Sequence, residues 1–240
     1  MKLFCFPYAG GSSAIFNRWK SYVDTDIEIK AIELAGRGKR IHEDHYSDFN
    51  EVIEDVFSLI VDEIKKGENY AFFGHSMGAK IAYELAQQIL GMGFPGPEHI
   101  FFSGRGAPYV LGKNEKEYHK LPDDEFKQEI LKLGGTPKEF FEHPELLEVF
   151  LPLLKNDFKL AARDVIGKEI NPLPCDISVF LGKEEELTAE QIDSWKNYTT
   201  QNCSIYYFNG GHFFINENVE EIVGRINYTL QYFSNSINSY

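Results

Sequence analysis

Apolar positions along the chain switch between two periods. Short runs dense in aromatic and β-branched residues recur at KLFCF (2–6), IEIKAIE (27–33), YAFFG (70–74), HIFFSG (99–104), ISVFL (177–181) and SIYYF (204–208), and each predicts a strand. Between and after them the apolar residues recur every three to four positions. In FNEVIEDVFSLIVDEIKK (49–66), Val52, Val56, Leu59, Ile60 and Ile64 share one helical face, and 77–90 and 218–233 read in the same way. Strands alternating with helices predict an α/β fold, a mostly parallel sheet flanked by helices on both faces.

One interval breaks this rhythm. From about Arg105 to Asn171 no strand run occurs, while 121–133 and 144–165 have helical spacing interrupted by Gly134, Gly135, Pro137 and Pro152. We expect one domain over 1–240 with a helical lid inserted at 105–171, over the carboxyl ends of the strands where open α/β sheets place ligands. The chain contains no internal repeat and no low-complexity linker.

Composition narrows the partners. Hydrophobic residues make up 43% and charged residues 25%, as in an ordinary globular chain, and the formal net charge is −13. That acidity argues against nucleic acid and anionic membrane surfaces as partners, since both need a basic face. No apolar run reaches the roughly 18 residues that cross a bilayer. The opening MKLFCFPYAGG meets Pro7 and two glycines too early for a signal peptide, so a cytoplasmic location is expected. Cys5, Cys175 and Cys203 lack metal or redox spacing and are expected as small buried residues rather than disulfides or ligands.

The chemistry is concentrated at Gly74-His75-Ser76-Met77-Gly78, a G-x-S-x-G nucleophile elbow. Glycines two before and two after the serine let a strand and a helix pass closely through a strained turn, and here a strand run precedes the motif and a helical pattern comes after it. Ser76 is the expected nucleophile. A serine hydroxyl needs a base, and in the α/β-hydrolase order of serine, acid, histidine the last two sit on loops after later strands. His212, in NGGHFF just past the run ending at Phe208, fits the base. His75 is read as packing within the elbow, and His42, His45, His99, His119 and His143 as exposed or structurally satisfied. In LGKEEELT, directly after the strand run ISVF, the only carboxylates are Glu184, Glu185 and Glu186, one of which must hold the histidine tautomer. The oxyanion donors are expected to be the N–H of Met77, after the nucleophile, and that of Ala9 in the loop FPYAGGSS after the first strand.

With these parts in place, the sequence resembles the stand-alone (type II) thioesterases of nonribosomal peptide and polyketide synthetases, of the α/β-hydrolase fold. The likeness rests on FPYAGG (6–11), LAGRGKR (34–40), FGHSMGAKIAYELA (73–86), LPDDEF (121–126), LGGTP (133–137), LPLLKNDF (151–158) and GGHFF (210–214). It implies hydrolysis of acyl or aminoacyl thioesters on the phosphopantetheine arm of carrier proteins, clearing stalled or misprimed synthetases. No metal or cofactor is implied, because the pantetheine belongs to the substrate. The resemblance carries the nucleophile onto Ser76, the base onto His212 and the oxyanion donors onto Met77 and Ala9. The family's acid is an aspartate in a G-x-x-D pattern; aligning on Gly182 and Trp195 puts Glu185 there. Ala35 replaces the usual proline of LPGRG, and KLAARDV (159–165), whose one carboxylate is Asp164, lacks the pattern of acidic and tyrosine residues common at the end of the lid.

The partners expected are acyl or peptidyl carrier domains, and the chain is expected to act as a monomer. Since carriers are commonly acidic, local basic groups near the lid, Arg37, Lys39, Arg40 and Lys113, are expected to dock them. The competing readings are an off-loading or small acyl-CoA or ester hydrolase, and a carrier-binding module that has lost catalysis at the acid.

Overall fold

The computed structural model describes residues 1–111, 116–135, 143–162 and 169–237. Six strands, β1 (Lys2–Phe6), β2 (Glu28–Ala31), β3 (Tyr70–His75), β4 (His99–Ser103), β5 (Asp176–Gly182) and β6 (Cys203–Phe208), form one sheet in the order β2-β1-β3-β4-β5-β6. Every adjacent pair is parallel. Because both faces of the four central strands are covered, these read as near-continuous apolar runs and their residues divide between two cores. Phe4, Phe6, Tyr70, Phe72, Ile100, Phe102, Ile177 and Val179 point to the face covered by α1 (Phe49–Lys65) and α2 (Met77–Gly91). Leu3, Cys5, Ala71, Phe73, Phe101 and Phe180 point to the other, covered by a 3-10 turn at Ser13–Ser21 and by the terminal helix of the chain.

Between β4 and β5 the described residues include two helices, α3 (Asp123–Leu133) and α4 (Pro144–Ala161). They share a small core of their own around Phe126, Ile130 and Leu154. Short helices α5 (Ala189–Asp193) and α6 (Phe214–Glu217) precede the terminal helix, α7 (Val219–Ile237). No helix among the described residues is long and apolar enough to cross a membrane. Cys5 and Cys175 are buried, Cys203 is half-buried, and all three are free thiols.

Two expectations change and one element is added. Pro152 lies inside α4 rather than breaking it. The hydrogen bond a proline removes costs about 3 kcal/mol in an isolated helix, but here the next turn is fixed by burial of Leu153, Leu154 and Leu160. Leu59 is 47% exposed while Ile53 is buried. At about 100° per residue the buried stripe centres between Val56 and Ile60, which puts Leu59 near its edge and brings Ile53 inside. A 3-10 turn at Ser13–Ser21, anchored by the buried Phe16 and Trp19, stands where no element was expected. Pro137 and Lys113 lie outside the described residues.

Candidate active site

A single residue, Ser76, joins β3 to α2, with φ 55° and ψ −108°, a conformation that costs a non-glycine residue about 1–3 kcal/mol. The flanking glycines explain how the turn closes. A Cβ on Gly74 would stand 2.0 Å from the Gly78 carbonyl oxygen, and one on Gly78 would stand 2.1 Å from the Phe6 carbonyl oxygen. Only hydrogen fits where the two backbones cross. The Ser76 N–H donates to the Ser103 carbonyl at 2.7 Å, tying the elbow to the end of β4.

The loops after β5 and β6 bring the other groups to this edge. The Ser76 hydroxyl is 3.1 Å from Nε2 of His212, and Nδ1 of His212 is 2.7 Å from Oε1 of Glu185. Glu184 and Glu186 are not drawn into this series, whereas the Glu185 side chain is 6% exposed. Its other oxygen, Oε2, accepts the Gly182 N–H at 2.8 Å. The glutamate therefore folds back over its own loop, which takes up the methylene it has beyond an aspartate. Close packing of the two loops holds the arrangement: a Cβ on Gly182 would meet the Gly210 and Gly211 carbonyl oxygens at 2.6 Å.

His75 is fully buried, with Nδ1 2.8 Å from the Ser103 hydroxyl and its ring edge-on to Tyr8 and Phe214. Burial, with the nearby His212, holds its pKa well below the usual histidine range, so it sits in the elbow as a neutral packing group. A second histidine–serine contact, His99 to Ser178 at 2.9 Å, lies at the amino ends of β4 and β5, at the opposite edge of the sheet from the elbow.

Met77 opens α2, and the first N–H groups of a helix have no intrahelical acceptor. Ala9 lies in the tight turn after β1, where the Gly11 N–H donates to the Tyr8 carbonyl at 2.9 Å and the Gly10 N–H to Asp157 Oδ2 at 2.7 Å. The amides on the far side of Ala9 are thus committed within the protein.

The basic loop expected to dock carriers is largely consumed. Arg37 is 4% exposed and forms a two-pronged ion pair with Asp157 of α4, and Arg40 pairs with Asp55 and Glu43. Of the four cations only Lys39 is exposed among the described residues. Sequence reasoning missed Asp157, although a signal was present: in LPLLKNDF an aspartate stands on the apolar stripe that carries Leu153, Leu154 and Leu160.

Comparison with known proteins places these features in a wider set. Residues 1–230 match the model of the thioesterase domain family. The gramicidin S biosynthesis protein GrsT of Aneurinibacillus migulanus is 34% identical over 93% of this chain and 86% of its own length. The medium-chain S-acyl fatty acid synthase thioesterase of Rattus norvegicus is 32% identical over 89% of this chain and 81% of its own. Among solved structures, ClbQ from the colibactin NRPS/PKS pathway superposes with a TM-score of 0.89 at 35% identity, covering 97% of this chain and 98% of that one. The α/β-hydrolase fold is common to this chain and its thioesterase neighbours.

Proposed function

The chain belongs to the thioesterase domain family, and from that premise we propose that it cleaves acyl and aminoacyl thioesters from the phosphopantetheine arms of carrier proteins, regenerating a nonribosomal peptide or polyketide synthetase. The observation that carries this reading is the continuous hydrogen-bonded series Glu185, His212, Ser76, set on a strained elbow in a thioesterase-family chain. The names of GrsT and ClbQ, both tied to biosynthetic pathways, support the synthetase setting.

In the proposed mechanism, Nε2 of His212 takes the Ser76 proton as Oγ attacks the thioester carbonyl carbon. Glu185 holds Nδ1–H and stabilises the imidazolium that forms. The N–H groups of Met77 and Ala9 receive the negative charge on the carbonyl oxygen. Collapse of the tetrahedral species breaks the carbon–sulfur bond, and the pantetheine sulfur leaves with the proton from His212. A water then gives a proton to Nε2 and attacks the acyl-serine, freeing the carboxylic acid and restoring Ser76. Protons and charge are handled by these groups and water, so the steps call for no metal or cofactor. We read the helical insertion at 105–171 as the lid over this centre.

One comparison favours a second acyl source, since the rat relative is named for fatty acid synthase. Incubating the protein with an acyl-loaded peptidyl carrier, the same acyl group on coenzyme A and a simple ester separates the readings. Fastest turnover of the carrier substrate is expected. Equal or faster turnover of coenzyme A or ester would replace the proposal with a small-thioester hydrolase, and no turnover of any would leave a binding module.

A further inference from the structure

The insertion helix α4 reaches the loop that carries one of the proposed oxyanion donors, and it does so through a buried charge. Asp157 is 1% exposed. Its Oδ2 accepts the Gly10 N–H at 2.7 Å and an Arg37 guanidinium N–H at 2.5 Å, and its Oδ1 accepts a second Arg37 N–H at 2.8 Å. Arg37 in turn donates to the carbonyls of Gly11 and Ala35, each at 3.3 Å. The turn after β1 is therefore gripped at an amide and a carbonyl on successive residues, immediately beyond Ala9. Apolar contact reinforces the grip, since at Gly10 (φ +75°) a Cβ would stand 2.5 Å from Leu154 Cδ1 and 3.0 Å from Phe150 Cζ.

Helix α4 is itself fixed to the body of the fold. Lys80 donates to the carbonyls of Leu160 and Ala162 at 2.8 and 3.0 Å, and Arg105 donates to that of Ala161 at 2.8 Å. These cations satisfy carbonyls that a helix end leaves without intrahelical partners. Lys80 stands one helical turn beyond Ser76 on α2, so the post holding the Gly10 amide is referenced to the helix that the nucleophile begins.

We propose that Arg37 and Asp157 are a positioning pair: seated through α4, they set the Ala9 N–H at the place where the oxyanion forms, so that the oxyanion hole is complete only when the insertion is docked. This rests on the reading of Ala9 as an oxyanion donor. Neither side chain is a catalytic residue, because both act through the backbone of Gly10 and Gly11. The buried pair also has an asymmetric chemistry that makes it testable. Removing one member strands a charge, whereas replacing both with apolar side chains of similar volume is often neutral for stability.

The test uses the full chain carrying Asp157→Asn, the double change Arg37→Met with Asp157→Leu, and Arg37→Lys, each compared with wild type by circular dichroism and melting. Two inhibitors with the same acyl chain are titrated: a trifluoromethyl ketone, which forms an oxyanion on Ser76, and a thioether, which does not. In the folded double variant, ketone affinity is expected to fall about tenfold or more and kcat with it, since misplacing a group by about 1 Å can cost on the order of a hundredfold. Thioether affinity and KM are expected to stay within about twofold, the behaviour of an interaction made only in the transition state. Arg37→Lys keeps a cation beside Asp157 and should show a smaller loss in the same direction; it supplies the reading if neither of the other variants folds. Ketone affinity unchanged, or ketone and thioether weakened alike, in whichever variants fold overturns the proposal. Replacing Ala9 by lactate, which exchanges its N–H for an ester oxygen, separates the two layers. Retained ketone preference in that protein defeats the donor reading itself. Lost preference there, with none lost on changing the pair, defeats only the positioning role.

Discussion

Changing Glu185 to glutamine removes one charge and almost no volume, and the local hydrogen bonds determine the outcome. Two donors face the carboxylate, the Gly182 N–H at 2.8 Å from Oε2 and the imidazole Nδ1 at 2.7 Å from Oε1. A carboxylate accepts from both, but a primary amide has one acceptor oxygen and one donor nitrogen. The backbone N–H cannot become an acceptor, whereas the imidazole can change tautomer. The amide oxygen therefore turns to Gly182 and its NH₂ group to Nδ1, leaving the proton of His212 on Nε2, aimed at Ser76. In that tautomer the histidine donates where it must accept. The loss expected is about 10³- to 10⁴-fold in kcat, or roughly 4–5.5 kcal/mol of transition-state stabilisation. Glu184 and Glu186 stand outside the hydrogen-bonded series, so glutamine at either should leave kcat within about twofold. The assay is single-turnover and steady-state release of thiol from one acyl-carrier substrate, with the fold checked by circular dichroism. A Glu185→Gln enzyme within tenfold of wild type, or a larger loss at position 184 or 186, would refute the tautomer argument.

Ser76→Ala should abolish thiol release while leaving carrier binding, measured by calorimetry, within about twofold, because alanine fits the same turn. Gly78→Ala should fail to fold or lose more than about 4 kcal/mol in urea titration, since its Cβ would lie 2.1 Å from a backbone oxygen that cannot move aside. Gly91→Ala, at the end of the same helix with no atom within 4 Å, should instead gain about 0.5–1 kcal/mol. Burial holds the His99 pKa down to about 4, against an ordinary 6.5 in the unfolded chain. The unfolded state then binds the extra proton first, so stability is full above pH 6.5 and falls as the pH drops toward 4, by about 3 kcal/mol from this group. Melting curves across that range should show the slope, and His99→Gln should flatten it.

What the sequence determined by itself is the part governed by local pattern. Each of the six strand runs lies within a residue or two of the strand observed, because burial on both faces writes a near-continuous apolar run into the four central strands, while the half-exposed edge strands β2 and β6 keep β-branched or aromatic residues. The elbow was legible because only glycine tolerates the crossing at positions 74 and 78, and His212 because it lies just past a strand end. For the expected acid, the residue pattern alone left three glutamates, and only the family resemblance pointed to Glu185. Tertiary packing separates them, by burying Glu185 against Gly182 and His212. Arg37 reads in sequence as one cation of a basic loop expected to dock carriers. It is buried because Asp157, 120 positions away, meets it across the insertion. No periodicity encodes such a pairing, since the two residues become neighbours only when α4 docks on the turns after β1 and β2. Pro152 obeys the same logic: its local preference was to end a helix, and the leucines packed around it kept the helix going. Local propensities amount to a few kcal/mol or less per residue, and where burial and a paired charge oppose them, packing decides.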